Sequence, residues 1–171
     1  YHQLKQFNKA NTLALEAEEF LNVNTYFSSN FNIRYLQLLV IRAFVENNNF
    51  YSAIHISHRQ FKVVGPDFSS SLFKIFEFIA HYKLKNFDNL LYSLDSWAKT
   101  IRSKRKQFPI EKILIKFFRS VCNKATIEEK KKLILNTIIQ LKEIEKTNLK
   151  FYLNHIFDFT EWFERELEEI K

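Results

Sequence analysis

A chain of 171 residues and 20.7 kDa, 46% hydrophobic and 26% charged, is long enough to bury one ordinary core. It holds one Gly, two Pro, one Cys and no Met. That composition excludes Gly-rich phosphate loops, nucleophile elbows and serial tight β-turns, all of which need backbone positions with φ > 0 that other residues adopt at a cost. The net charge of +7 is unevenly spread: nine Lys/Arg face eight Asp/Glu over residues 1–98, fifteen face five over 99–150, and two face six over 151–171. Such a basic segment steers acidic partners through a salt-screened field, and a solvated Lys-rich helix surface produces the same pattern.

Lone Cys122 cannot form an intramolecular disulfide or a Cys-based zinc site, which favours a reducing, cytoplasmic setting. The longest apolar stretch, Tyr35 to Val45, is interrupted by Gln37 and Arg42 and falls short of the roughly 18 to 20 residues that span a bilayer, so the chain is expected to be soluble, with no membrane span. A start at Tyr1 rather than Met reads as a piece of a longer protein.

Apolar residues recur at steps of three and four almost throughout, the period of helices that bury one stripe, and no segment sustains alternation. Leu4, Phe7, Ala10, Ala14, Ala17 and Leu21 predict a helix over Gln3 to Leu21, followed by a polar loop over Asn22 to Asn30. Ile33, Leu36, Leu39, Val40, Ala43 and Phe44 predict one over Phe31 to Glu46, with Arg34, Gln37 and Arg42 off its apolar face. Asn47, Asn48 and Asn49 stop it, because their short amides compete for backbone hydrogen bonds and tolerate left-handed dihedrals.

Ala53, Ile54, Ser57 and Phe61 mark the next helix, Tyr51 to Val63, which ends at Gly65-Pro66. Asp67 or Ser69 caps a helix to Lys85 that carries Leu72, Ile75, Phe76, Ile79 and Tyr82. Asp88 to Arg105 follows, with Leu90, Leu91, Leu94, Trp97, Ala98 and Ile101. Pro109 suits the first turn of the next helix, whose stripe is Ile110, Ile113, Leu114, Phe117, Phe118 and Val121. Thr126 with Glu129 reads as a capping box opening a helix to about Lys146. Leu149 to Ile170 closes the chain as one long acidic helix or as two broken at Asp158 to Thr160.

The helices pair, and the pairs resemble each other. Residues 43–53 align with 80–90: a small residue, two bulky ones, a polar turn, then Phe50 or Phe87 opening the next helix, 37 residues apart. A degenerate third copy places Ile127 another 40 residues on. A period of this length with two helices per unit predicts a helical solenoid whose units stack to share a core. Asn49-Phe50 with Ala53, and Asn86-Phe87 with Leu90, are similar to the turn of the tetratricopeptide repeat family. Asn48 and Lys85 stand where that family has its turn glycine, and Ile41 and Phe78 stand at its helix-contact glycine. The chain also looks like the degenerate helical-hairpin arrays of uncharacterised bacterial proteins.

The resemblance, over residues 31 to 146, implies an all-α right-handed solenoid of about eight helices and no sheet. The whole, 1–171, would form a single helical-repeat domain: a helix and loop of a preceding unit in 1–30, hairpins in 31–66, 67–108 and 109–147, and a capping helix in 148–171. It further implies a non-catalytic scaffold that binds a protein or peptide in a concave groove. If the first helix of each pair lines that groove, its polar residues are Arg34, Gln37, Lys74, His81, Lys112, Lys116 and Arg119, which suit acidic or carboxylate-bearing partners.

Other constellations are weaker. His55 and His58, at i, i+3, offer two imidazoles without a third ligand at a supporting spacing, and Glu77 and His81, at i, i+4, offer an acid-base pair or half a metal site. His155 with Asp158 is a lesser pair of the same kind. Taken separately, these give no cofactor, no metal site and no catalytic set. Cys122, near the end of its helix, reads as a small packed hydrophobe. Lys99, Arg102, Lys104, Arg105 and Lys106 complement a helix C-terminus, and also open a basic segment, 99–150, that supports an alternative function as a nucleic-acid-associated helical domain. The nineteen phenylalanines are accounted for by inter-helix packing, with Tyr26, Phe27, Phe31 and Phe68 as a surplus near loops suited to docking.

Overall fold

The computed structural model describes residues 7–23, 31–61, 68–104, 107–123, 126–146 and 156–170. Among the described residues there are eight helices and no strand: α1 Phe7–Val23, α2 Phe31–Glu46, α3 Phe50–Phe61, α4 Phe68–Lys83, α5 Phe87–Lys104, α6 Pro109–Cys122, α7 Ile127–Glu145 and α8 Phe159–Glu169. The all-α expectation stands. None of these helices is long and apolar enough to cross a membrane. The chain forms two compact units, residues 1–86 and 87–171, so the two helices expected in the hairpin 67–108 fall in different units.

In the first unit α2 touches α1, α3 and α4, and α3 lies along α4. With neighbours on three sides, α2 buries more than the one predicted stripe: Leu38, Ile41 and Val45 join Val40, Ala43 and Phe44 in the core, and Gln37 goes in with them. Ile33, Leu36 and Leu39, assigned to the buried stripe by period alone, are only partly covered. Helix α4 is buried at every position from Ser70 to Tyr82. Its side chains Lys74, Glu77 and His81 are therefore interior polar groups that need partners.

The turn after α2 and the end of α4 share one backbone construction. Asn48 N–H donates to the Val45 carbonyl (3.2 Å) and Asn49 N–H to that of Phe44 (2.8 Å). Thirty-seven residues on, Lys85 N–H donates to Tyr82 (3.0 Å) and Asn86 N–H to His81 (2.9 Å). This is the Schellman closure, which takes up two orphan carbonyls and demands a left-handed residue in the turn. Asn48 (φ 60°) and Lys85 (φ 56°) supply it, at the two positions where the resembled family carries glycine. Ala53 and Leu90, three residues beyond Phe50 and Phe87, are both fully buried. Phe50 is buried and Phe87 half-buried, whereas Ile127, the third copy's equivalent of these phenylalanines, is 54% exposed, so the third copy departs from the first two there.

In the second unit α6 lies between α5 and α7, and α7 packs on α8. Pro109 occupies the first turn of α6, and Glu111 accepts from the Phe108 N–H (2.7 Å). The expected capping box at α7 is present: Glu129 N–H donates to Thr126 Oγ1 (3.2 Å), and Thr126 N–H to the Glu129 carboxylate (2.7 Å). At the chain's end the helix begins at Phe159, because the Asp158 carboxylate accepts from Glu161 N–H (2.8 Å) and caps it there. Phe163, fully buried, meets Phe117 and Trp162 edge-on, each with ring centroids 4.7 Å apart. Thr160 donates to Glu145 (2.6 Å), which fixes α8 on α7.

Candidate functional sites

Two places gather polar side chains. The first is inside unit one, where α3 meets α4. His55 and His58 lie three residues apart on α3, yet they serve different neighbours: His55 Nδ1 is 3.7 Å from Glu18 of α1, and His58 Nε2 is 3.2 Å from Glu77 Oε1 of α4. The other Glu77 oxygen accepts from Lys74 Nζ at 2.8 Å, one turn back on the same helix. His81, one turn forward, has its ring centroid 6.5 Å from that of His58. One ligand atom each from His58, Glu77 and His81 lie within 4.8 Å of one another.

Burial separates the roles of these groups. The Glu77 side chain is 1% exposed, whereas His58 is 56% exposed and opens the cluster to solvent. Desolvation holds the His81 imidazole below the ordinary histidine range; Glu77 pulls it the other way, and the positive potential of His58 and Lys74 lowers it further. His81 is thus a neutral imidazole at neutral pH, and its buried Nδ1 has no hydrogen-bond partner among the described residues. Sequence spacing alone pairs His55 with His58 and Glu77 with His81. The triad that forms instead takes one histidine from the first pair and both members of the second, because α3 packs along α4.

The second place is a cleft of about 300 Å³ in unit two, between α5 and α6. Ala98, Ile101 and Ile115 supply its apolar surface, and Arg102, Lys112, Lys116 and Arg119 supply four cations. Lys112, Lys116 and Arg119 recur every three or four residues, so one face of α6 presents all three, as the periodicity predicts. Among the described residues, no carboxylate lines the cleft. Arg119 donates to Asp95 of α5 at 2.6 Å, an exposed pair. A second hollow of about 320 Å³, lined by Ser120, Asn123, Glu129, Lys132, Leu133 and Asn136, lies between α6 and α7.

The seven residues expected to face a groove thus divide. Lys112, Lys116 and Arg119 converge on one solvent-facing cleft. Gln37, Lys74 and His81 are at most 9% exposed and offer nothing to a peptide, because α2 and α4 are covered beyond one face; Arg34 is half-buried on α2. Of the remaining sequence candidates, Cys122 is half-buried, and burial, reinforced by Asp88, pushes its thiol up to about 11, which suits packing rather than nucleophilic chemistry. Asp158 is a helix cap, while His155, Tyr26, Phe27, Arg105 and Lys106 lie outside the described residues. Compared with known proteins, the chain matches no family model, no curated protein and no solved structure.

Proposed function

We propose that this chain is a helical-repeat interaction scaffold, a right-handed array of tetratricopeptide-like hairpins without catalysis of its own, and that the α5–α6 cleft receives an acidic peptide segment. The single observation that carries the reading is the cleft's composition: four cations, an apolar floor and, among the described residues, no lining carboxylate. Carboxylates on a partner gain charge-assisted hydrogen bonds from Arg and Lys, while Ala98, Ile101 and Ile115 take an apolar side chain between them. The recurrence of one Schellman turn after 37 residues supports the repeat reading, since equivalent backbone stops at a fixed interval are what a hairpin array requires.

The test uses a fluorescent peptide of alternating Glu and Leu, a Lys/Leu peptide of the same length, and single- and double-stranded oligonucleotides. The acidic peptide is expected to bind, and Lys112→Glu with Lys116→Glu, both on exposed positions of α6, to weaken it at least tenfold without altering helix content. Absence of acidic-peptide binding, or binding indifferent to the reversal, overturns the proposal. Steep salt-dependent capture of oligonucleotides alone at about 50 mM salt replaces it with the nucleic-acid reading of segment 99–150.

A further inference from the structure

We propose that His58, Glu77 and His81 form a binding site for a divalent first-row transition ion, with zinc as its natural probe. Two imidazoles and one carboxylate are a donor set that such ions take, leaving further positions for water. The gap of 3.2 Å between His58 Nε2 and Glu77 Oε1 equals the edge of a tetrahedron built on metal–ligand bonds of about 2.0 Å, so these two atoms already stand at a ligand–ligand separation. The third donor is brought in by helix geometry: Glu77 and His81 are four residues apart on α4 and face the same way. All three ligand atoms lie within 4.8 Å of one another, a spread that must narrow to a coordination edge when the ion binds.

Three features distinguish this set from a surface cluster. Glu77 and His81 are held on a helix buried from Ser70 to Tyr82, so the scaffold fixes two donors before an ion arrives. His81 is 6% exposed and keeps a ring nitrogen without a hydrogen-bond partner among the described residues, a cost that ligation or an ordered water relieves. His58, 56% exposed, provides the entry path. Lys74 counts against the site and locates it: its ammonium occupies Glu77 Oε2 at 2.8 Å, so an ion must take Oε1, on the side of His58.

The experiment is calorimetric titration of the chelator-treated chain with Zn²⁺, together with the visible absorption of Co²⁺ as a reporter of coordination. One ion per chain is expected, with His58→Ala weakening binding at least tenfold and changing the Co²⁺ band. His58 is solvent-facing and Glu77 keeps Lys74 as a partner, so the variant is expected to retain the helical circular-dichroism spectrum, which is checked alongside. His55→Ala is the control: it removes an even more exposed histidine one turn away, paired to Glu18 instead, and should leave affinity unchanged. Equal losses from both variants would mean adventitious binding by surface imidazoles, and no Zn²⁺ uptake would mean that the cluster is only an ion-paired interior; either result overturns the site.

Discussion

The two Schellman turns make a matched pair of tests, because the same backbone closure carries Asn48 in one and Lys85 in the other. A side chain with a Cβ is crowded against the following carbonyl at φ near +60°, at a cost of about 1 to 2 kcal/mol, which asparagine partly recovers by local hydrogen bonding and glycine escapes. Lys85 bears that crowding in full. Glycine there also loosens the unfolded chain, offsetting about 0.4 to 1 kcal/mol of the relief. The net gain for Lys85→Gly is therefore about 0.5 to 1 kcal/mol, a rise of about 1 to 4 °C in Tm for a chain of this size. Both positions are exposed, so no packed side chain is lost. Lys85→Asn should gain a similar amount, while Asn48→Gly should be within a few tenths of neutral and Asn48→Lys should lose about 1 kcal/mol. Urea unfolding followed by circular dichroism gives the ranking. Destabilisation by Lys85→Gly, or an equal gain from Asn48→Gly, would refute the argument that left-handed crowding at Lys85 is a net burden.

The remaining expectations concern the second unit. Thr126→Ala removes the hydroxyl that receives Glu129 N–H and should lower stability by about 1 kcal/mol, with Thr126→Ser near neutral, measured by the same denaturation. Phe163→Ala empties a fully buried site flanked by Phe117 and Trp162 and should cost about 3 to 5 kcal/mol, with Phe163→Leu costing less; equal costs would show that shape at this site is irrelevant. With its pKa raised to about 11 from 9.0, Cys122 should alkylate about 100-fold more slowly than a free thiol at pH 8 and recover on unfolding. The same raised value means that stability is unaffected below pH 9 and falls as pH climbs from there towards 11, because only the unfolded chain readily gives up the proton; a Cys122→Ala variant should lack that part of the alkaline loss.

Local information in the chain was sufficient for most of the described elements, though it left the closing segment open as one helix or two. The three- and four-residue periods place the eight helices of the described residues, Pro109 marks the start of α6, and Thr126 with Glu129 marks the start of α7, because capping and backbone preference act within a few residues. The 37-residue spacing of the two turns was equally legible, since Asn48 and Lys85 stand where a left-handed residue must be. The face of α6 that carries Lys112, Lys116 and Arg119 could also be read, because one side of that helix does meet solvent.

What the periodicity leaves open is how many sides of a helix are covered. A stripe analysis assigns Gln37, Lys74 and His81 to a wet face, but α2 has three helical neighbours and α4 is enclosed along its length, so these polar groups are interior. The long-range encounter of α3 with α4 then selects His58 over His55 for Glu77 and His81, a choice between two histidines that share a helix and differ by one turn. Spacing along a chain fixes which side chains share a face. Only packing decides which face is dry and whose neighbour waits across it, because burial and partner are properties of two elements together and are encoded in neither alone.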